Sequence, residues 1–306
     1  MTADPDRALG FIDRYEACPL CAGTDLVPDF TIERAGGLLR WSLCRGCDLT
    51  FQNPRLDEAT LRAIYAGDEY WEGGAYRSYA ETEPLRIAQS RRRLRRIRIV
   101  SGTARGRLLD VGCATGFFGK VARESGFDVL GIEPSPKMAA YARESHGLEI
   151  FRGTLEEWPL ERERFDLVTL WGTDSHFLHP LEGFSKLQAA LVPRGILAMN
   201  YQNFHHWIRR VFPGLKRSWN ALYNFSDRSF EVLLEKTGFE ILYRGLELQR
   251  VSADHLLRVL KLGVPRFVSR LPLLVPALSF SLVIARKIAS GLPAGNGRSY
   301  NPPRTP

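Results

Sequence analysis

Long apolar runs are missing from this sequence of 306 residues. No window of about 18 uninterrupted apolar residues occurs, which argues against a membrane-spanning helix. The first residues include acids and no apolar stretch, so we expect no secretory signal and a cytoplasmic protein. With 44% hydrophobic and 25% charged residues, the composition is that of a globular protein. The length suggests roughly two domains of about 150 residues each.

Acidic residues are missing from positions 84–109, which contain nine arginines. Because the whole chain has a net charge of +8, the remainder is close to neutral and the basicity is local. The arginines fit either a solvated helix face or a surface that binds phosphate, on a nucleotide-sugar, an anionic lipid or a nucleic acid. The segment also lacks aromatic residues, so base stacking is not indicated and we do not expect a nucleic acid partner.

Cysteine is scarce, and four of the five cysteines form two C-x2-C pairs. Cys18 and Cys21 are separated from Cys44 and Cys47 by 22 residues. Each pair can place two thiolates on one metal ion, and two pairs complete the closed tetrahedral shell of a structural zinc site. Because we expect no leader sequence, metal ligation is favoured over disulfides. The sequence therefore predicts a small zinc module over residues 15–55, built from a few short strands.

From residue 107 onward, buried strand patterns alternate with helix patterns. RLLDVG is a predicted strand that runs into a glycine-rich turn, and FFGKVARESG is the helix after it. Further pairs of this kind follow, which favours a parallel, doubly wound α/β sheet. We expect a polar arm at 1–14, a helical lid or linker at 56–104, the α/β domain at 105–290 and a disordered tail at 291–306.

The turn LLDVGCATGFFG places Gly112 and Gly116 between a strand and a helix, so that the backbone can approach a ligand closely. Glu133 ends the next strand, where a carboxylate can accept hydrogen bonds from ribose hydroxyls. A dinucleotide site would have a second glycine where Ala114 stands. Asp110 suits a cationic amino-acid group better than a pyrophosphate. These residues favour S-adenosylmethionine as the cofactor over a dinucleotide.

The motifs DVGCATG and GIEPS resemble the cofactor motifs of class I S-adenosylmethionine-dependent methyltransferases. The resemblance implies a Rossmann-like seven-stranded sheet whose last strand, SFSLVIARK, is antiparallel. It also implies acceptor insertions at about 203–226 and 250–278. The cofactor-binding residues that it implies are Asp110, Gly112, Cys113, Ala114, Gly116, Glu133, Pro134, Thr154, Leu155 and Trp171. Cys113 is expected to be a buried, unreactive thiol in that turn.

The candidate for catalysis is His176, just past the fourth strand, as a base or an acceptor-orienting group. Ser175 and Gly172 stand where the related pattern usually has acidic residues, so a metal-assisted mechanism is not predicted. Aromatic and histidine side chains are further expected to wall an acceptor pocket: Tyr70, Trp71, Tyr76, Tyr79, His205, His206, Trp207, Trp219, Tyr223 and Phe225.

The cysteine doublet resembles the zinc ribbon of bacterial methyltransferases linked to polysaccharide or secondary-metabolite tailoring. This implies methyl transfer, at oxygen, to a small-molecule, carbohydrate or lipid-linked acceptor. The alternatives are an RNA methyltransferase and a non-catalytic regulatory protein that binds the cofactor. The apolar stretch FVSRLPLLVPAL at 267–278 would suit peripheral contact with the inner face of a membrane. The sequence makes no prediction of oligomeric state.

Overall fold

A computed structural model describes residues 9–12, 14–34, 37–66, 79–203, 221–252 and 272–288. Its elements, in chain order, are β1 (Leu26–Arg34), β2 (Gly37–Cys44), β3 (Thr50–Gln52), α1 (Glu58–Ala66), α2 (Tyr79–Ser101), β4 (Gly106–Val111), α3 (Phe117–Glu124), β5 (Phe127–Glu133), α4 (Pro136–His146), β6 (Glu149–Arg152), β7 (Phe165–Trp171), a 3-10 turn (Asp174–His176), α5 (Pro180–Ala190), β8 (Leu191–Gln202), β9 (Tyr223–Asn224), α6 (Asp227–Lys236), β10 (Phe239–Ser252) and β11 (Pro272–Lys287).

The large sheet has seven strands in the order β10-β11-β8-β7-β4-β5-β6. The pairs between β4, β5, β6, β7 and β8 are parallel, and β11 runs antiparallel to both of its neighbours. This confirms the predicted doubly wound α/β sheet with an antiparallel last strand. The strand order reverses at β4, because β5 and β6 lie on one side of it and β7 and β8 on the other. This switch point places a ligand site at the carboxyl edge of the central strands.

Helix boundaries follow the capping signals in the sequence. Ser135 lies before α4, and its side chain accepts a hydrogen bond from the Met138 backbone. Gly147 closes the same helix with a left-handed φ of 59°, a conformation that favours glycine. These caps fix the start and end of α4, which packs against β5 and β6.

β10 and β11 are longer than their sequence patterns predict. They pair from Phe239 opposite Lys287 as far as Ser252 opposite Pro272. Residues 250–252 and 272–278, expected in an acceptor insertion, are therefore strand residues of this hairpin, and 253–271 lie outside the described residues. None of the helices in the described ranges combines the length and apolarity needed to cross a bilayer.

A second sheet of four strands, in the order β1-β2-β3-β9, contains the cysteine region. Its fourth strand comes from the distant segment Tyr223–Asn224, which pairs with β3. The Trp41 indole also donates to the backbone carbonyl of Ala221, at 3.1 Å. We call β1, β2, β3 and β9 with the two cysteine turns the cysteine module. It is joined to the α/β domain by main-chain pairing and not only by the connecting chain.

Two apolar clusters lie on the two faces of the large sheet. One runs without a break from the cysteine module through the sheet to α5 and α6. The other lies under α2, α3 and α4. The cysteine module is therefore packed into the larger core.

Candidate functional site

A cleft opens at the carboxyl ends of β4, β5 and β7, the edge at which doubly wound sheets bind ligands. It encloses about 960 Å³ including the open solvent at its mouth. Among the residues singled out from the sequence, those that line it are Gly112, Ala114, Glu133, Pro134, Thr154, Leu155, Trp171 and His176.

The turn after β4 depends on backbone conformations that few residues adopt. Gly112 has a φ of 68°, and a Cβ there would lie 2.4 Å from the Thr173 hydroxyl oxygen. Ala114 is also left-handed, with a φ of 48°. Because Gly112 and Cys113 both donate to the Ile132 carbonyl, at 2.8 and 3.1 Å, the turn is fixed against β5. It therefore presents its backbone to the cleft in a single arrangement.

Glu133 is one of the ionisable residues that line the cleft. It is buried, and its two carboxylate oxygens accept hydrogen bonds from the backbones of Ala114, at 2.9 Å, and Ser135, at 2.8 Å. Burial raises the pKa of Glu133 to about 7, against the lowering effect of these two hydrogen bonds. The carboxyl group is thus held in place and keeps lone pairs for a ligand in the cleft.

Asp110 lies behind the turn and not on the cleft surface. One oxygen accepts from the Thr169 hydroxyl at 2.7 Å, and the other, Oδ2, has no hydrogen-bond partner although it is buried. Burial raises the pKa of Asp110 to about 7, opposed by the Thr169 hydrogen bond and by the charge of Arg93. An unpaired buried oxygen at this place suits a ligand donor that reaches in from the cleft.

Gly116 and Cys113 also lie away from the cleft surface. A Cβ on Gly116 would be 2.7 Å from Leu148, so this glycine allows α3 to start close to its neighbours. Cys113 is buried, and its sulfur lies against Gly131. Burial raises the pKa of the Cys113 thiol, which agrees with the expected unreactive thiol. Their expected contact with a cofactor stays a prediction.

The far end of the cleft is closed by a tight turn and by α1. Thr154 and Glu157 exchange hydrogen bonds, with the Thr154 backbone donating to the Glu157 carboxylate at 2.8 Å and the Glu157 backbone donating to the Thr154 hydroxyl at 3.3 Å. Arg62 of α1 forms an ion pair with Glu157 at 2.6 Å, and Glu58 and Leu61 of the same helix line the cleft. The sequence predicted this helix as part of a lid. It missed these three residues, because helical spacing does not say which element a helix will face.

His176 ends the 3-10 turn and lines the cleft, with its backbone N–H donating to the Thr173 carbonyl at 3.0 Å. The turn is held from the side of the cysteine module. The backbone of Leu222 donates to the Ser175 carbonyl at 2.9 Å, and the Tyr223 hydroxyl donates to the Leu178 carbonyl at 2.9 Å. The position of His176 therefore depends on β9 and its flanking residues.

The four cysteines of the cysteine module are brought together. The sulfurs of Cys18 and Cys47 are 3.7 Å apart, those of Cys21 and Cys44 are 3.5 Å apart, and all four lie within 4.8 Å of one another. A disulfide would need about 2.0 Å, and all four are free thiols. Zinc–sulfur bonds of about 2.3 Å give a tetrahedron with edges of roughly 3.8 Å. The observed spacing fits such a site.

The two cysteine turns repeat the same backbone geometry. Ala22 donates to the Cys18 carbonyl at 2.9 Å, and Asp48 donates to the Cys44 carbonyl at 2.8 Å. Ala22 and Asp48 are both left-handed, with φ of 63° and 61°. Two equivalent turns that face each other are what a two-pair metal shell requires.

Part of the expected acceptor wall lies outside the described residues: Tyr70, Trp71, Tyr76, His205, His206, Trp207 and Trp219. Tyr79 begins α2, where only the backbone is described. Tyr223 and Phe225 are buried in the core that joins the cysteine module to the α/β domain. They support the cleft from behind instead of forming its surface.

Comparison with known proteins shows which family the chain matches. The model of the methyltransferase domain family matches residues 79–244, more than half of the chain. The ubiquinone biosynthesis O-methyltransferase of Cereibacter sphaeroides is 28% identical over 150 residues, which cover 44% of this chain and 60% of that protein. The malonyl-acyl-carrier-protein O-methyltransferase of Pectobacterium atrosepticum is 38% identical over 61 residues, 20% of this chain and 24% of that protein.

A solved structure has the same fold. The magnesium protoporphyrin IX methyltransferase of Synechocystis, determined with bound S-adenosylhomocysteine, has a TM-score of 0.50 and 15% sequence identity. The likeness covers 76% of this chain and 100% of that chain. It extends the agreement in fold beyond the residues that the family model matches.

Proposed function

The chain belongs to the S-adenosylmethionine-dependent methyltransferases, and from this we propose that it methylates an oxygen atom of a small-molecule, carbohydrate or lipid-linked acceptor. The family favours an enzyme over a regulatory protein that only binds the cofactor. Transfer to oxygen is supported by the two curated relatives, which are both O-methyltransferases.

The observation that carries the cofactor proposal is the buried carboxyl group of Glu133 in the cleft wall. In our proposal it accepts hydrogen bonds from the two ribose hydroxyls, and Pro134 packs beside the ribose. Thr154 and Leu155 enclose the adenine at the end closed by α1. Gly112 and Ala114 present their backbone to the methionine part, and Asp110 draws its positive amino group through the unpaired oxygen.

S-adenosylmethionine supplies a methyl group on a positively charged sulfur. The residues of the cleft orient the acceptor oxygen in line with that group and exclude water, and orientation alone accounts for a large part of such accelerations. When the acceptor is a hydroxyl, its proton must leave, and His176 is the group on the cleft surface that we propose to accept it at an imidazole nitrogen.

For the cysteine module we propose one structural zinc ion bound by Cys18, Cys21, Cys44 and Cys47. The spacing of the sulfurs supports it, and four thiolates leave no open position for a substrate. The ion would stabilise the module and take no part in methyl transfer.

The test is a screen with methyl-labelled S-adenosylmethionine against cell extracts separated into lipid, glycan, RNA and small-molecule fractions. We expect label to enter a lipid, glycan or small-molecule product, and His176→Asn to reduce that transfer while S-adenosylhomocysteine still binds. Label in RNA alone would favour the RNA alternative, and an unchanged rate in His176→Asn would remove the proposed base.

A further inference from the structure

The arginine segment of α2 is divided between different surroundings. Leu94 and Ile97 are buried in the core, and Arg91 and Arg95 are exposed to solvent. A fully solvated face, one of the two interpretations of the sequence, therefore describes only part of the segment. The remaining arginines lie between the core side and the solvent side.

A second cleft lies between α2 and β10. On the α2 side it is lined by Arg92, Arg93 and Arg96. Tyr243 and Leu246 line the cleft with them. Leu246 is 49% exposed and adds an apolar surface to the cleft beside these cationic groups. The second cleft thus offers positive charge and an apolar surface side by side.

The charge of Arg93 is already neutralised within the protein. Its Nε lies 2.6 Å from an oxygen of Glu247, which is buried. Gln89 donates to the same oxygen at 2.9 Å, and Asn200 donates to the other oxygen at 2.6 Å. These three partners therefore fill most of the acceptor positions of Glu247, and Arg93 is the arginine that balances its charge.

Arg92 and Arg96 keep their charge unbalanced. Within the described part of the chain neither guanidinium has a carboxylate within 4.0 Å, and Arg96 lies over the Tyr243 ring at 5.0 Å. Both are partly buried, which strengthens their field relative to arginines in open solvent. Each guanidinium presents several N–H donors in one plane, a geometry that suits phosphate or carboxylate oxygens. Arg92 and Arg96 place two such groups on one wall of the second cleft.

The second cleft adjoins the first. The Arg93 guanidinium lies 4.1 Å from the centre of the Trp171 ring, and Trp171 lines the first cleft. Asn200 also links the two clefts. It donates to Glu247, which lines the second cleft, and accepts from the backbone of Gly172, which lines the first, at 2.8 Å. A molecule held in the second cleft would therefore lie next to the first cleft, on the side of Trp171 and Gly172.

We propose that the second cleft binds an acidic group, a phosphate or a carboxylate, of the methyl acceptor, with Arg92 and Arg96 as its ligands and Leu246 against an apolar part of the same molecule. The assignment to the acceptor depends on the proposed methyl transfer. The anion site itself does not, and it can be tested separately.

The chain offers a matched pair of variants. Arg92→Gln/Arg96→Gln and Arg91→Gln/Arg95→Gln remove the same charge from the same helix, but only the first pair faces the second cleft. The probe is phenyl phosphate, titrated by calorimetry into the protein. We expect the cleft pair to raise the dissociation constant about tenfold or more, as for loss of charge-assisted hydrogen bonds. The solvent pair should raise it less than about twofold, as for exposed charges.

A second arm identifies the source of the acidic group. Vesicles of phosphatidylcholine with phosphatidylglycerol test a lipid headgroup, and loss of vesicle binding in the cleft pair alone would support the site with a lipid as its source. Equal losses in both pairs, for phenyl phosphate and for vesicles, would show a diffuse charge effect and overturn the proposal. S-adenosylhomocysteine binding of the wild type, measured in the same series, tests the proposed function independently, because it does not involve the second cleft.

Discussion

The four thiols of the cysteine module and the two carboxyl groups at the first cleft are both buried polar clusters, but their partners differ. The thiol sulfurs lie mainly against one another. Glu133 is held by backbone donors, and Asp110 by the Thr169 hydroxyl. Ionised thiols packed at such distances need a cation between them, whereas the carboxyl groups are stable as neutral groups near pH 7.

From this difference we expect the zinc ion to be needed for folding and the cofactor to be needed for function. Metal affinity in a four-thiolate site is also folding free energy, because the unfolded chain has no such site. The cleft, in contrast, is formed by the sheet and its turns before any cofactor is present. Breaking each cluster should therefore have different consequences, and the following predictions are arranged from the largest effect to the smallest.

The largest effect is expected from Cys44→Ser. A structural zinc site contributes on the order of 10 kcal/mol at neutral pH, which is comparable with the whole stability of a domain. We expect the variant to lose its zinc, about one ion per chain in the wild type, together with cooperative unfolding of the cysteine module. Metal analysis and thermal melting measure both. Cys113→Ser is the control, because it replaces a buried thiol outside the module. A variant that kept its zinc and its melting temperature would contradict the metal assignment.

Glu133→Ala should leave the fold intact and weaken cofactor binding. Loss of hydrogen bonds to a charged group costs about 1.5–3 kcal/mol, so we expect the dissociation constant of S-adenosylhomocysteine to rise by roughly ten- to a hundredfold. Calorimetry gives the affinity, and melting of the ligand-free variant shows whether the fold is preserved. Neither the wild type nor the variant should bind NADH. An unchanged affinity would exclude Glu133 from the site.

The pH dependence follows from the raised pKa values of Asp110 and Glu133, both about 7. The folded protein holds these protons between about pH 4 and 7 while the unfolded chain has lost them, so the ligand-free protein should lose stability as pH rises through this window. A cofactor that uses the ionised carboxylates should bind better above pH 7. We expect the affinity for S-adenosylhomocysteine to be lower at pH 6 than at pH 8 by about tenfold for each carboxyl group, and so by up to about a hundredfold for the two together.

Two variants control this pH experiment. Asp110→Asn and Glu133→Gln each remove one titrating group and keep its shape. Each variant should flatten the pH dependence, and release of protons on binding should fall in parallel, as measured by calorimetry in buffers of different ionisation enthalpy. If affinity fell with rising pH, the carboxyl groups would act in their neutral form instead.

The smallest effect is expected from Tyr223→Phe, which connects the two regions. The change removes the hydrogen bond to the Leu178 carbonyl and keeps the buried ring. We expect a loss of about 1 kcal/mol in the free energy of unfolding, with zinc content unchanged. If the module positions the His176 turn, the Michaelis constant for the acceptor should rise severalfold while cofactor affinity holds. Tyr201→Phe, which removes a buried tyrosine hydroxyl that donates to Asp227 and not to the His176 turn, is the control for a general loss of stability.

The sheet and much of the first cleft could be predicted from the sequence because their signals are local. The strand, the glycine turn and Glu133 lie within 28 residues, and helical and strand periodicities alternate clearly on either side. The four cysteines were predictable because metal ligation restricts their spacing. In each case the physical requirement involves neighbours along the chain.

The parts that were not predictable depend on distant pairing. β9 has only two residues, too few for any periodicity, and its partner β3 is more than 170 positions away. The strand pattern around Glu247 does not predict that this residue is buried. Its burial becomes understandable only in the fold, which places Arg93 and Asn200 beside it. The extension of β10 and β11 was missed because proline at 272 and 276 reads as a strand breaker in the sequence.

The pairing of β3 with β9 affects the order in which the parts of this protein fold during its synthesis. An N-terminal module usually folds as soon as it leaves the ribosome, yet here its last strand is made only after most of the α/β domain. Closing so long a loop delays the contact until the sheet in between has formed. We therefore expect a nascent chain that ends at residue 200 to hold an immature cysteine module, open at one edge.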